Sequence, residues 1–283
     1  MRTVNVLFTG GVDSSFTMMY YSKFPVILQP YYLRDYRMSE PYELRAIHRI
    51  LKDIRKNPGT KAEVRNLIAP PTYALGLDIE IWLAYQSIVK STGLGKQYYY
   101  IACFAKQAGI SDLNISLVHF EGGRGYRAVN NSGGLYQVED SMGMEFYRLD
   151  PDKTEKNLYT IFENVCIPPS FTHTKQEEME EMKRMGFADS IEKTWFCQRP
   201  INGEPCGMCE PCHDAIKMGF EWRFTPEGLS RYEEDLLTPK WKHKLRDLKL
   251  TLDAKVYNTK NRCALIMRHM VTTQNPFPAP RKI

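Results

Sequence analysis

Apolar and polar residues alternate in blocks along the first half of the chain, and each block has the length of one secondary-structure element. Thr3 to Thr9 (TVNVLFT) is β-branched and apolar and ends at Gly10-Gly11, the pattern of a buried strand entering a tight turn. A helix is predicted next, turning Phe16, Met19 and Tyr20 inward. Pro25 to Leu33 (PVILQPYYL) reads as a second strand, and Leu44, Ile47, Leu51 and Ile54 give Glu43 to Arg55 one apolar helix face. Leu77 to Val89 and Gln97 to Lys106 are also predicted helices, followed by a strand over Asp112 to His119. Strands separated by helices imply an α/β fold with a parallel, doubly wound sheet covered on both faces.

From Glu121 to Asp150 the alternation breaks. Glycines at 122, 123, 125, 133, 134 and 143 separate short pieces such as Leu135 to Val138, predicting an inserted hairpin or mobile loop near the open edge of a site. Lys175 to Arg184 (KQEEMEEMKR) is a charged helix with Met179 and Met182 as core contacts. Near the end, Leu245, Leu248, Leu252 and Val256 share a helix face.

Composition narrows the class. With 283 residues, 43% hydrophobic and 12% aromatic, the chain has the means to bury a sizeable core. No leader-like apolar run opens it and no stretch of about 20 apolar residues follows, so a soluble, cytoplasmic protein without membrane contact is expected. The net charge of +5 is uneven: from Lys240 to Ile283 eleven Lys/Arg stand against Asp247 and Asp253. A basic tail suits an acidic partner such as nucleic acid, but no aromatic-rich binding motif accompanies it, and a solvated helix face is the preferred reading.

Two segments carry candidate chemistry. Thr9-Gly10-Gly11-Val12-Asp13-Ser14-Ser15 lies between the first strand and its helix. There glycines admit phosphates to the backbone, amides and the hydroxyls of Ser14 and Ser15 can bind their oxygens, and the helix dipole favours anions. Asp13 would carry Mg²⁺ or hold the loop. A glycine turn followed by an Asp/Ser helix cap would explain the same residues without a nucleotide. The second segment, Cys197, Cys206, Cys209 and Cys212, offers four soft ligands, which suits a closed, structural Zn²⁺ site fastening the loop of Trp195 to a helix beginning near Glu210. An iron–sulfur cluster or a redox pair would also use such cysteines. His213 abuts them as a neighbour, and Cys103, Cys166 and Cys263 stand apart as core or surface thiols.

The glycine segment lacks the Gly-Lys-Ser/Thr ending and the G-x-G-x-x-G spacing of other nucleotide loops. It resembles the PP-loop, S-G-G-x-D-S, of ATP pyrophosphatases, with Thr9 for the first Ser. Together with Ile167-Pro168-Pro169, Thr174-Lys175, Thr194-Trp195-Phe196-Cys197 and Cys206-Gly207-Met208-Cys209-Glu210-Pro211-Cys212, it is similar to the 7-cyano-7-deazaguanine synthase family over roughly residues 3 to 220. The resemblance implies a PP-loop ATP-binding domain over 1–193 with an insertion near 121–150 and a zinc segment over 194–220; it leaves unexplained the basic helical extension expected over 221–283.

It also implies ATP, Mg²⁺ and Zn²⁺ as cofactors and a C–N ligase reaction. The carboxylate of 7-carboxy-7-deazaguanine attacks the α-phosphate of ATP, pyrophosphate leaves, and ammonia displaces AMP; a second adenylation gives the nitrile. Asp13, Ser14 and Lys175 are the catalytic candidates, and Lys96 with Gln97 falls where the family has an Arg-Asn pair. Tyr31 to Tyr36 replaces the family's Tyr-Gly-Gln-Arg-His segment, its Tyr-Pro-Asp-Cys-Arg segment is missing near 120–130, and His213-Asp214-Ala215 stands where it has Arg. These departures suggest a divergent relative, of a kind also found in bacterial anti-phage operons, that stops at an amide or uses another amine, including one on a protein. A homodimer is compatible with this reading. A tRNA-thiolating enzyme with persulfide cysteines and a non-catalytic nucleotide sensor are the other readings.

Overall fold

The computed structural model describes residues 1–239 and Val256. The predicted basic helix and tail therefore lie, apart from the helical, exposed Val256, outside the described residues. The described residues fall into two compact units, Met1–Leu33 with Ile47–Thr194, and Arg34–Ala46 with the described residues after Thr194.

In chain order the elements are β1 (Thr3–Leu7), α1 (Val12–Tyr21), β2 (Ile27–Tyr31), α2 (Glu40–Lys56), β3 (Glu63–Val64), α3 (Ile79–Thr92), α4 (Lys96–Gln107), β4 (Leu113–Asn114) and α5 (Arg124–Asn130). There follow β5 (Leu135–Glu139), β6 (Glu145–Leu149), α6 (Lys156–Phe162), β7 (Val165–Cys166), α7 (Lys175–Arg184), α8 (Ala188–Ile191), α9 (Glu210–Lys217) and α10 (Pro226–Leu237).

The first unit is built on a five-stranded sheet in the order β3-β2-β1-β4-β7, with every neighbouring pair parallel. From β1 the chain winds outward to β2 and β3, then crosses back to lay β4 on the other side of β1 and β7 beyond it. Right-handed crossovers in opposite directions put their helices on opposite faces, so the sheet is doubly wound, as expected. The strand alternation agrees. Val4, Val6 and Phe8 are buried on one face of β1, and Leu7, on the other, packs on an apolar cluster containing Leu113, Val165, Ile101 and Phe104. On that side α3, α4 and α6 pack against one another, and α1 packs against α7.

The strand predicted over Asp112 to His119 pairs only at Leu113–Asn114, with one further ladder bond from Ile115 N–H to Cys166 O (3.0 Å). Its neighbour β7 runs into Pro168-Pro169, which have no N–H to extend a ladder. Beyond this point the Ser116 hydroxyl joins Thr17 Oγ1 of α1 at 2.8 Å.

The glycine-rich insertion is packed, and its parts lie at different ends of the sheet. Its hairpin, β5 with β6, is antiparallel and docks by an isolated bridge between Tyr147 and Ile167. Its turn residue Asp140 pairs with Arg2 at 2.6 Å, next to the amino ends of β1 and β4. The hairpin turn is thus at the edge of the sheet away from the glycine loop, which follows the carboxyl end of β1. Close packing accounts for two of its glycines: a Cβ on Gly125 would meet Tyr98 Oη at 1.9 Å, and one on Gly134 would meet Thr154 Oγ1 at 2.0 Å.

Candidate functional site: a glycine loop and a four-sulfur centre

Thr9 to Ser15 connects β1 to α1 at the carboxyl edge of the sheet, beside β4, where the strand order reverses. Open parallel sheets bind ligands at such a switch point, because the loops on either side of it diverge and leave a crevice. Gly10 turns the chain with φ 75°, a left-handed conformation that costs a residue with Cβ about 1 kcal/mol. Gly11 is the N-cap of α1 and supplies no side-chain acceptor, so the first amides of the helix are left for an incoming anion.

The loop is braced from within. Ser14 Oγ accepts from Thr9 N–H (3.2 Å), lies 3.1 Å from Thr9 Oγ1, and donates to Gly11 O at 3.3 Å. The threonine hydroxyl at the first loop position is thus in use, and Ser14 works partly as a brace, where the sequence suggested a direct phosphate ligand. Ser15 Oγ is buried without a hydrogen-bond partner.

The segment after β7 returns to this loop. Pro169–Thr172 forms a single tight turn, the His173 ring lies 5.4 Å from that of Phe16, and α7 begins in a capping box. In it Glu177 N–H donates to Thr174 Oγ1 (3.3 Å), and Thr174 N–H donates to Glu177 Oε2 (2.7 Å). This fixes Lys175 at the start of α7, with Nζ 3.5 Å from Asp13 Oδ1. Lys175 and Asp13, singled out separately in the sequence, therefore meet. Lys96 instead opens α4 with its ammonium over the Tyr100 ring at 5.3 Å; none of its described contacts reaches the loop.

Sequence reasoning passed over Glu178. It sits in a run of charges, yet it is 0% exposed, and no N–H or O–H donates to either carboxyl oxygen. Burial first, then the neighbouring Asp13 charge and a side-chain hydrogen bond that the protonated acid makes to Asp13, push its pKa well above the usual carboxylate range, with Lys175 opposing. The signal was its spacing: Lys175, Glu178, Met179 and Met182 follow the i, i+3, i+4, i+7 rhythm of an inward helix face.

In the second unit, Cys197, Cys206, Cys209 and Cys212 are all buried, with their Sγ atoms within 4.8 Å of one another. The Cys206–Cys212, Cys209–Cys197 and Cys209–Cys212 separations are 3.8, 4.0 and 3.4 Å. Four thiolates about 2.3 Å from a tetrahedral Zn²⁺ would stand about 3.8 Å apart, so the set fits that ion. Amides support the sulfurs: Cys206 N–H points to Cys197 Sγ (3.2 Å), and Met208 N–H to Cys206 Sγ (3.4 Å). Without a cation the thiols compete for charge. Bonding to Cys197 holds Cys206 and Cys209 below the usual thiol range, while Cys206 pushes Cys197 above it and Cys197 pushes Cys212 above it. A divalent ion would resolve this by ionising all four.

The surroundings of the sulfurs are closely packed and hydrogen-bonded. Gly207 has φ 78°, and a Cβ there would meet Gly228 O at 2.1 Å. Arg231 Nε donates to Cys206 O (2.9 Å), Trp195 Nε1 donates to Cys197 O (2.7 Å), and the Trp195 ring stacks on Tyr42 with centroids 4.8 Å apart. His213 is a neighbour of the centre, its Nε2 facing the buried Asp235 Oδ2 at 3.0 Å. Cys103 and Cys166 are buried elsewhere, and burial pushes Cys166 up to about 11.

No protein-family model matches the chain, and no curated protein matches it. Among solved structures, a 4-thiouridine synthetase in complex with RNA and with ATP bound is similar over 84% of this chain, at 17% identity and a TM-score of 0.35. This chain spans 54% of that one, about half its length. A likeness of that size carries nothing about function. Among the described residues, no helix is long and apolar enough to cross a membrane.

Proposed function

We propose that the chain is an ATP-dependent C–N ligase of the PP-loop kind, which adenylates a carboxylate and passes the acyl group to a nitrogen nucleophile. The observation that carries this reading is the meeting of Asp13 and Lys175 at an uncapped helix start on the switch point of a parallel sheet. Loop amides and an ammonium are the groups a triphosphate needs. A carboxylate oxygen of the substrate attacks the α-phosphorus, and the bond to the β-phosphate oxygen breaks. The amides of Val12 to Ser15 and the Lys175 ammonium stabilise the charge gathering on the departing pyrophosphate. The amine then attacks the acyl carbon, loses a proton, and AMP leaves. The ionised carboxylate needs no base, so the protein's contribution is position and charge. Mg²⁺, held through Asp13, would screen the phosphates from that carboxylate.

The four-sulfur centre serves this enzyme as a structural Zn²⁺ site, since four protein ligands leave no open position. The alternative, tRNA thiolation with persulfide cysteines, needs cysteines free of structural metal, and one tightly held zinc per chain without iron, by metal analysis, would count against it. The acyl donor we favour is 7-carboxy-7-deazaguanine, and the acceptor is ammonia or an amine on a protein, as in a defence role. Incubation with ATP, Mg²⁺, this acid and ammonia should release AMP and pyrophosphate in equal amounts. Folded Asp13→Ala should lose this turnover by at least 100-fold, about 2.7 kcal/mol in the barrier. A wild-type rate no higher than background would reject the ligase, and a fully active Asp13→Ala would reject the loop assignment.

A further inference from the structure

Among the described residues Glu178 is a fully buried carboxyl, 0% exposed, to whose oxygens no N–H or O–H donates, and its side-chain bond to Asp13 requires that it be protonated. A buried carboxyl in that state is costly, and a bound ion is one of the partners that would offset the cost. Glu178 lies three residues after Lys175 on α7, the helix that packs on α1, and its electrostatic partners are Asp13 and Lys175. Asp13 Oδ1 is itself buried without a hydrogen bond, its ion pair to Lys175 Nζ being long at 3.5 Å. Two carboxyl groups thus share one small region beside the helix start, where a long ion pair to Lys175 opposes the Asp13 charge and Glu178 bonds to Asp13 only as the protonated acid.

Resting on the phosphate-loop reading above, we propose that Asp13 and Glu178 together hold the divalent cation that enters with the nucleotide, Glu178 being the second protein carboxylate. The donor set suits Mg²⁺ or Mn²⁺, hard ions that take one or two carboxylates and complete their shell with phosphate oxygens and water. Lys175 has a partner waiting when the cation arrives: an ammonium released from Asp13 is free to pair with a phosphate. The nucleotide with its cation therefore satisfies at once three side chains that are poorly satisfied without it.

The test uses the full-length, zinc-loaded protein, Mn²⁺ and the non-cleavable α,β-methylene analogue of ATP. Mn²⁺ affinity of the nucleotide complex is read by electron paramagnetic resonance, and nucleotide affinity without added Mg²⁺ or Mn²⁺ by calorimetry. Glu178→Gln should weaken Mn²⁺ binding at least 10-fold and leave metal-free nucleotide binding within twofold. Mn²⁺ affinity unchanged by the substitution, with nucleotide bound, overturns the cation proposal alone. A wild type that binds no nucleotide overturns the phosphate loop and the cation site with it. Should Glu178→Gln fail to fold, anomalous scattering from Mn²⁺ in wild-type crystals decides: a peak between Asp13 and Glu178 supports the proposal, and a peak touching Asp13 but not Glu178 refutes it.

Discussion

At the scale of single residues, the molecule depends most on positions where no alternative side chain fits. Gly207 combines a φ of 78° with a Cβ position 2.1 Å from Gly228 O. Substitution by alanine must therefore push α10 away from the turn that carries Cys206 and Cys209. Gly207→Ala is expected to cost about 3 kcal/mol and to lower the zinc bound per chain, measured by atomic emission on purified protein. Full zinc content and an unchanged melting temperature would show that the turn is not what shapes the centre. The four cysteines were legible in sequence because metal ligands cluster with short spacings. Glu178 was not, because burial of a carboxylate in a charged run comes from the partner helix, and that partner is distant in the chain.

At the scale of elements, helix ends position the site. The capping box of α7 holds Lys175 and Glu178 in place, and Thr174→Ala should destabilise the protein by about 1 kcal/mol. A loss of stability without any change in nucleotide affinity would separate the cap from the site. The start of α3 carries a pH dependence of definite sign. Burial alone would raise the pKa of Asp78, but its bonds with Ile81 N–H and Lys106 hold it below the usual carboxylate range. Its folded value is depressed, so its contribution is present above the unfolded value near 4 and is lost as pH falls through the folded one. Asp78→Ala should lower the melting temperature at pH 7 and make less and less difference below about pH 4.

The helices themselves were readable from the 3.6-residue rhythm of their apolar positions, and Lys175–Arg184 emerges with the bounds its composition suggested. The strand over Asp112 to His119 was overestimated. Apolar alternation marks which residues are buried, whereas ladder length depends on the neighbours, and here Pro168 and Pro169 end one of them.

At the scale of the whole molecule, two candidate sites are kept in two compact units: a glycine loop on a doubly wound sheet, and a sulfur centre braced by α9 and α10. The order of alternating elements announced the sheet, because parallel strands need helical crossovers. The glycine-rich stretch from Glu121 to Asp150 reads in the sequence as an inserted hairpin or mobile loop near the site; it holds a hairpin, but glycine there serves close packing, and Arg2 draws the hairpin turn to the far edge of the sheet. Thiol accessibility tests the division of labour. In zinc-loaded native protein Cys197, Cys206, Cys209 and Cys212 should resist a thiol reagent, and a strong chelator should render these four reactive. Rapid reaction of all four before chelation would exclude a metal-bound set.

The central claim is that the Thr9 to Ser15 loop holds the triphosphate of ATP. It is tested most directly by a crystal structure with the α,β-methylene analogue and Mg²⁺. The account predicts phosphate oxygens within hydrogen-bond distance of the amides from Val12 to Ser15, with the Lys175 ammonium turned from Asp13 towards them. A nucleotide seated elsewhere at saturating concentration, with the loop empty and the Asp13–Lys175 pair intact, would contradict it.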